Sequence, residues 1–450
     1  MMETVVCIAL ICMGGLGAIA TAAPAAGSMG EQCRLRSGEI LTALEKGDYI
    51  AATGYFDARM HAGLSAEKLG RVWHDMLPAK VGALKSAGAT KVTERAGGAL
   101  AQTPLQFANA WLNLRVACNE DGMVGGLFFV PGSAPNAALT PLPAAADVVE
   151  RSLAVTSPIG PLPGTLTLPK GLGPFPAVLL VAGSGPNDRD ETIGPNKPFL
   201  DLANGLAAHG IATFRYDKRT HVYGEKMIGK AMTVDDEVTN DAVTAAKLLA
   251  QQPHIDAMRV FVLGHSLGAL MAPRIAQRNP NLAGVILMAA PVTFDLDTVL
   301  RQTRYIEHLH GASAQQIDTA TAAIVAARDA LANADPAHPP AGELFHAPAS
   351  YWLSLRDYHA IAVAEKLPQP MLILQGERDY QVTPKGDFAQ WQAAFAQKPR
   401  VTLIEFPDFG HLFMPAGDPP SPADYAKAGH VDAHVIDAIA HWIAGVPHAK

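Results

Sequence analysis

The sequence has no surplus of positive charge: 35 Lys and Arg stand against 42 Asp and Glu, a formal net charge of −7. Without a basic field nothing would hold a phosphate backbone, and a nucleic-acid partner is not expected. Long hydrophobic runs are scarce too. The one apolar stretch of note lies at the N-terminus, so no later segment is expected to span a bilayer. Charged residues make up 17% of the chain and hydrophobic residues 49%, a balance that excludes a disordered protein. The 40 Gly and 34 Pro show neither a collagen period nor a low-complexity tract, which excludes fibrous classes and leaves them as turn punctuation. What is present is a 450-residue globular chain, long enough for two domains with a large buried core.

Cysteine is also sparse, at four residues. Residues 5–20 are apolar or small, and Ala20-Thr21-Ala22 and Ala23-Pro24-Ala25 each offer a small-residue cleavage pattern. Residues 1–26 are therefore expected to be an export signal, and the mature protein periplasmic or secreted, with no stable membrane span left after removal. No Lys or Arg precedes Arg34 and Glu3 sits in the leading segment, so a start at Met13 and an uncleaved anchor stay open. Cys7 and Cys12 would leave with the signal. The remaining Cys33 and Cys118 could close a loop of about 85 residues, which the chain-entropy treatment values at roughly 4 kcal/mol. Two unpaired buried thiols are the alternative.

Along the mature chain, helical spacing at Ile40, Leu41, Leu44, Tyr49, Phe56 and Met60, and again at Leu69, Val72, Trp73 and Met76, predicts two or three helices. Segments 90–95, 104–117 and 123–130 read as strands, with a turn at Asn119-Glu-Asp-Gly. Residues 33–131 are thus a small α+β domain, and the Pro/Ala-rich segment 132–147 has a linker's composition. From 148 to 450 the pattern alternates. After a hairpin at 149–168, short apolar strands at 177–182, 211–216, 260–263, 284–288, 370–374 and 401–406 are separated by helical segments, including 233–251 and 430–444. Such alternation predicts an α/β fold with a mostly parallel, helix-covered sheet. Residues 293–367 are too long for a plain crossover and read as a helical cap over the carboxyl edge of the sheet, where ligands bind in such folds.

The chemistry concentrates in Gly264-His265-Ser266-Leu267-Gly268, where a β-branched strand runs directly into a helical pattern through G-x-S-x-G. A nucleophilic serine needs that setting because a tight strand-to-helix turn exposes its Oγ, while the flanking glycines allow backbones to pass closely. It also needs a base held by a carboxylate, in the order Ser, acid, His. Asp379 follows the strand at 370–374, and His411 follows the strand at 401–406. Glu377 and Asp408 compete as the acid, and His430, His434 and His441 as the base; all are disfavoured by position. His430 and His434 are four apart, yet no third ligand accompanies them and no metal is expected. Backbone N–H groups of Leu267 and Ser184 are the expected oxyanion donors, the latter from the loop Ala182-Gly183-Ser184-Gly185. Gly185, His265 and Arg189 are candidate pocket residues. The runs Asp188-Arg189-Asp190 and Asp217-Lys218-Arg219 either orient a polar substrate group or brace two loops as an ion-pair network.

Taken in order, these motifs resemble the α/β-hydrolase superfamily over residues 148–445, and Gly183–Asp190, Arg215–Arg219 and the N-terminal α+β unit resemble bacterial carboxylesterases of the dienelactone-hydrolase-like group. The resemblance implies a serine hydrolase that cleaves small carboxylic esters without a cofactor. It departs at Ala182, where relatives often carry His, and at Ser266, where true dienelactone hydrolases use cysteine. A serine peptidase or acyltransferase on the same fold, and an inactive binding protein, are the competing readings.

Overall fold

The computed structural model describes residues 28–95, 98–108, 111–131, 148–227, 229–345 and 347–447. The export-signal expectation for residues 1–26 and the linker at 132–147 lie outside them.

The first unit opens with α1 (Met29–Glu45), capped by Ser28, whose Oγ accepts from the Glu31 N–H. Asp48, Asp57 and Ser65 then each cap a new helix, and these repeated starts divide the region into α2 (Tyr49–Thr53), α3 (Ala58–Gly63) and α4 (Ala66–Arg71), more pieces than the apolar spacing implies. One π-helical turn joins α4 to α5 (Leu77–Val81). Five antiparallel strands follow: β1 (Leu84–Ala87), β2 (Lys91–Arg95), β3 (Gly98–Phe107), β4 (Trp111–Asn119) and β5 (Val124–Pro131). The segment read as one strand at 104–117 is two. Only Asn109 interrupts the apolar residues between Phe107 and Leu112, so apolar content alone does not mark the reversal. Alternate residues Ala101, Leu105, Leu114 and Val116 face Ile40 and Leu44 of α1 across a closed core. Cys33 and Cys118 are joined by a buried disulfide, with Cα atoms 5.7 Å apart, that ties α1 to the end of β4.

The second unit is an eight-stranded sheet in the order β15-β14-β11-β10-β8-β9-β7-β6. Its members are β6 (Val148–Ser157), β7 (Gly160–Pro169), β8 (Phe175–Val181), β9 (Ala212–Tyr216), β10 (Ile255–His265), β11 (Gly284–Met288), β14 (Met371–Gly376) and β15 (Val401–Phe406). The six strands from β15 to β9 run parallel, and the β6–β7 hairpin adds an antiparallel edge. The central strands are continuous apolar runs because each successive side chain enters a different helical layer. Val260 and Val262 pack with Leu179, Val181, α8 (Asn240–Ala250) and α9 (Leu267–Arg278). Phe261 and Leu263 pack on the other face with Val178, Leu180, α6 (Pro198–Ala208) and α15 (Ala433–Gly445). Truncating one of these leucines would cost about 2 to 5 kcal/mol.

Between β11 and β14 lies the insertion, built from α10 (Leu296–Leu309), α11 (Ala314–Ala332), α12 (Ala349–Arg356) and α13 (Ala360–Ala364), with a short hairpin of β12 (Glu343–Leu344) and β13 (Ala347–Pro348). The Arg301 guanidinium of α10 donates to the carbonyls of Tyr380 and Gln381, and the Tyr305 and Tyr380 rings stack 5.3 Å apart. Helix α10 therefore rests on the loop that leaves β14. Farther along, Ser350 and Ser354 bond the backbone of Met232 and Val234, and the Tyr358 hydroxyl donates to the Leu270 carbonyl.

Candidate active site

Ser266 stands between β10 and α9 with φ 52° and ψ −118°, a left-handed backbone that a non-glycine residue adopts only under constraint. The turn is strapped on both sides. Its N–H donates to Met288 O at 2.9 Å, and its carbonyl accepts from Leu270 N at 2.9 Å. A Cβ at Gly268 would run into the Val181 carbonyl, which is why the helix can start so close to β8. Ser266 is partly exposed while its neighbours on both sides are buried.

Asp379, in the loop after β14, is buried, and its Oδ1 accepts the N–H groups of Gln381 and Val382 at 2.8 and 3.0 Å. That leaves Oδ2 for His411 Nδ1 at 2.7 Å. The pairing assigns the proton to Nδ1 and leaves Nε2 as the basic nitrogen. The competing carboxylates lie elsewhere. Glu377 is exposed, and Asp408 is exposed and paired with Arg378. His430 bonds Asp201, His434 bonds Asp432, and His441 bonds the Asp437 carbonyl. Among the described residues no group of three or more His, Cys, Asp or Glu is arranged to hold a metal ion.

His265 is not a wall of the pocket. Its ring is buried 4.7 Å from that of His411, with Nδ1 3.0 Å from Glu191 Oε1 and Nε2 2.9 Å from the His411 carbonyl. Both partners are acceptors, so both nitrogens must carry hydrogen. Burial alone would lower the pKa of this imidazole, yet the Glu191 carboxylate and the two acceptors outweigh burial and raise it. His265 thereby ties the Ser266 turn to the loop that carries His411.

Glu191 also accepts the Gly183 N–H at 2.6 Å. The Gly183 amide is therefore engaged, whereas neither Ser184 N–H nor Leu267 N–H has an acceptor among the described residues. Gly183 itself passes so near the elbow that a Cβ there would lie 3.2 Å from Ser266 Cβ. Asn187 Nδ2 donates to the carbonyls of Gly183 and Ser184, closing the loop around Gly185, whose φ is 89°. Arg189 turns away from the site. Its guanidinium binds both oxygens of Asp217 and the Thr165 hydroxyl. Arg215 binds Asp190, Thr167 and Glu150, and Arg219 binds Asp241, so the polar runs after β8 and β9 hold loops together. Sequence order alone does not mark Glu191 or Asn187 for these contacts. The density of charge directly after an apolar strand and a Gly-Ser-Gly turn was the available signal. Beside His411 a small cleft opens, lined by Asn196, Tyr380, Leu412, Met414 and Tyr425.

Across 397 residues the chain is 36% identical to esterase EstD of Thermotoga maritima, covering 88% of this chain and 92% of that protein. The chain belongs to the EstD family of α/β-hydrolase esterases. Within it, residues 197–417 match the family described as serine aminopeptidase, S33, and residues 37–127 match a family described as a protein of unknown function, DUF3887. Among solved structures, it is similar to a 2,6-dihydroxy-pseudo-oxynicotine hydrolase at 17% identity and TM-score 0.41, covering 66% of this chain and 67% of that one. It is also similar to a hyperthermophilic esterase from the archaeon Pyrobaculum calidifontis at 14% identity and TM-score 0.43, covering 67% and 87% of the respective chains.

Proposed function

We propose that this member of the EstD family hydrolyses small carboxylic esters through an acyl-enzyme on Ser266. The observation that supports this most directly is the strained elbow holding Ser266, whose neighbour His265 bonds the carbonyl of His411, the residue paired with Asp379. His411 Nε2 takes the Ser266 hydroxyl proton as Oγ attacks the ester carbonyl carbon, and the carbonyl electron pair moves onto oxygen. Leu267 N–H and Ser184 N–H receive that oxyanion, and removing one such donor typically slows the reaction about a hundred- to a thousandfold. Collapse breaks the bond to the alcohol oxygen, which leaves with the proton from His411. Water then gives up a proton to His411 and attacks the acyl-enzyme, and the second collapse returns the proton to Ser266 and releases the acid. Asp379 keeps the imidazole oriented and stabilises its cationic form in both halves.

Labelling with a fluorophosphonate tests the nucleophile: an adduct is expected on Ser266, and labelling or turnover undiminished in Ser266→Ala refutes the reading. The family description of an aminopeptidase supports a second reading. Short acyl esters and aminoacyl anilides assayed side by side separate the two, and faster turnover of the anilides would favour the peptidase. We further propose that the protein works outside the cytoplasm, since a buried disulfide suits an oxidising compartment. Recovery of the mature chain in a soluble cytoplasmic fraction, with thiols free, would refute that.

A further inference from the structure

The Gly183 carbonyl is held by a buried lysine. Lys218 Nζ donates to Gly183 O at 2.9 Å and to Glu237 Oε1 at 2.8 Å, and both side chains are 4% exposed. Asn187 Nδ2 adds a second donor to the same oxygen at 3.1 Å. The Gly183 carbonyl and the Ser184 N–H belong to one planar trans peptide, in which they point in opposite directions. Fixing the oxygen therefore fixes the aim of the N–H. A cation on the oxygen also polarises the peptide and makes its N–H a stronger donor. Glu237 has one further partner that matters. Its Oε2 accepts from the Tyr351 hydroxyl at 2.7 Å, and Tyr351 belongs to α12 of the cap.

We propose that Lys218 is the positioning residue of the oxyanion hole, aiming and polarising the Ser184 N–H through the Gly183 carbonyl, and that Tyr351 and Glu237 make this aim depend on a seated cap. Lys218 touches no reacting atom. It acts through a peptide whose other end does, so its removal weakens binding of the tetrahedral oxyanion and leaves binding of the planar ester unchanged. This rests on the acyl-enzyme reading given above.

The test compares wild type, Lys218→Met/Glu237→Gln, Tyr351→Phe and Ser266→Ala, with a short-chain aryl ester as substrate and a trifluoromethyl ketone as a mimic of the tetrahedral adduct. The double variant removes both charges together, so no lone buried charge is left to unfold it. Its kcat is expected to fall about 10- to 100-fold with KM within twofold, and its ketone affinity to fall by a similar factor. Tyr351→Phe, which leaves the ion pair intact, is expected to lose kcat and ketone affinity together by about threefold. A folded double variant with kcat and ketone affinity within twofold of wild type overturns the role of Lys218. Should the double variant not fold, an unchanged Tyr351→Phe overturns the link to the cap. Hydrolysis surviving in Ser266→Ala refutes the acyl-enzyme itself, whereas a Ser266-dependent enzyme indifferent to loss of Lys218 refutes only the positioning role.

Discussion

Replacing His265 by Gln removes an imidazole whose pKa is raised by the Glu191 carboxylate against the effect of burial, while leaving Glu191 in place. Removing one partner of a buried ion pair costs about 3 to 5 kcal/mol, largely because the survivor stays charged and desolvated. Glu191 keeps the Gly183 N–H at 2.6 Å, and glutamine can still donate to one acceptor, so the low end, about 3 kcal/mol, is expected. The pH dependence is the sharper measurement. An imidazole whose pKa is raised by folding stabilises the fold fully below its ordinary value of 6.5, and that contribution declines as pH climbs and is lost above the raised value. Urea denaturation between pH 5 and 9 should therefore show the gap between wild type and His265→Gln widest at the acid end and narrowing as pH rises. Glu191→Gln/His265→Gln, which removes both charges, should recover part of the loss, with a coupling of at least about 1 kcal/mol in the cycle. Parallel stability curves for wild type and the single variant across that range would show that His265 is neutral in the fold, and the reasoning would be wrong.

Ser266→Ala and His411→Ala should each reduce ester turnover by several orders of magnitude, and the double variant little further, since the two act as a unit. His434→Ala, at an exposed side chain bonded only to Asp432, should stay within twofold in the same assay. Gly268→Ala should fail to fold or lose Ser266 labelling, because its methyl group meets the Val181 carbonyl, and near-wild-type labelling would refute the close approach. Cys33→Ser/Cys118→Ser should lower stability by up to about 4 kcal/mol, the value for a closed loop of that length, and reductant should reproduce the shift in wild type and leave the variant's transition unmoved.

Where hydrophobic period and turn chemistry act locally, the sequence displays the structure. The strand at 284–288 carries its bounds in its own apolar run, and G-H-S-L-G shows its elbow because a strand, a serine and a helix meet there at close quarters. Asp379 and His411 were legible from chain order because parallel strands deliver successive loops to one edge of the sheet. Residues whose meaning depends on a partner far along the chain were not legible. Lys218 and Tyr351 meet at Glu237 only after folding, and Arg189 could not be separated from a ligand-binding arginine until Asp217 was beside it. His265 falls between these cases: its place beside Ser266 is local, but its partner Glu191 lies 74 residues away.

Strands β11 and β14 are immediate neighbours, paired from Val285↔Met371 to Met288↔Leu374, although residues 289–370 separate them in the chain. The whole cap thus leaves and re-enters the sheet through one gap between adjacent strands. Relative to a minimal crossover of about a dozen residues, closing this longer one costs under about 2 kcal/mol, because closure entropy grows only with the logarithm of length. The sheet with its loops and the inserted helices are therefore separable by topology. The insertion can change in length at little entropic cost to the sheet, and the Tyr351–Glu237 hydrogen bond is a point at which such a change would reach the loops after β8 and β9.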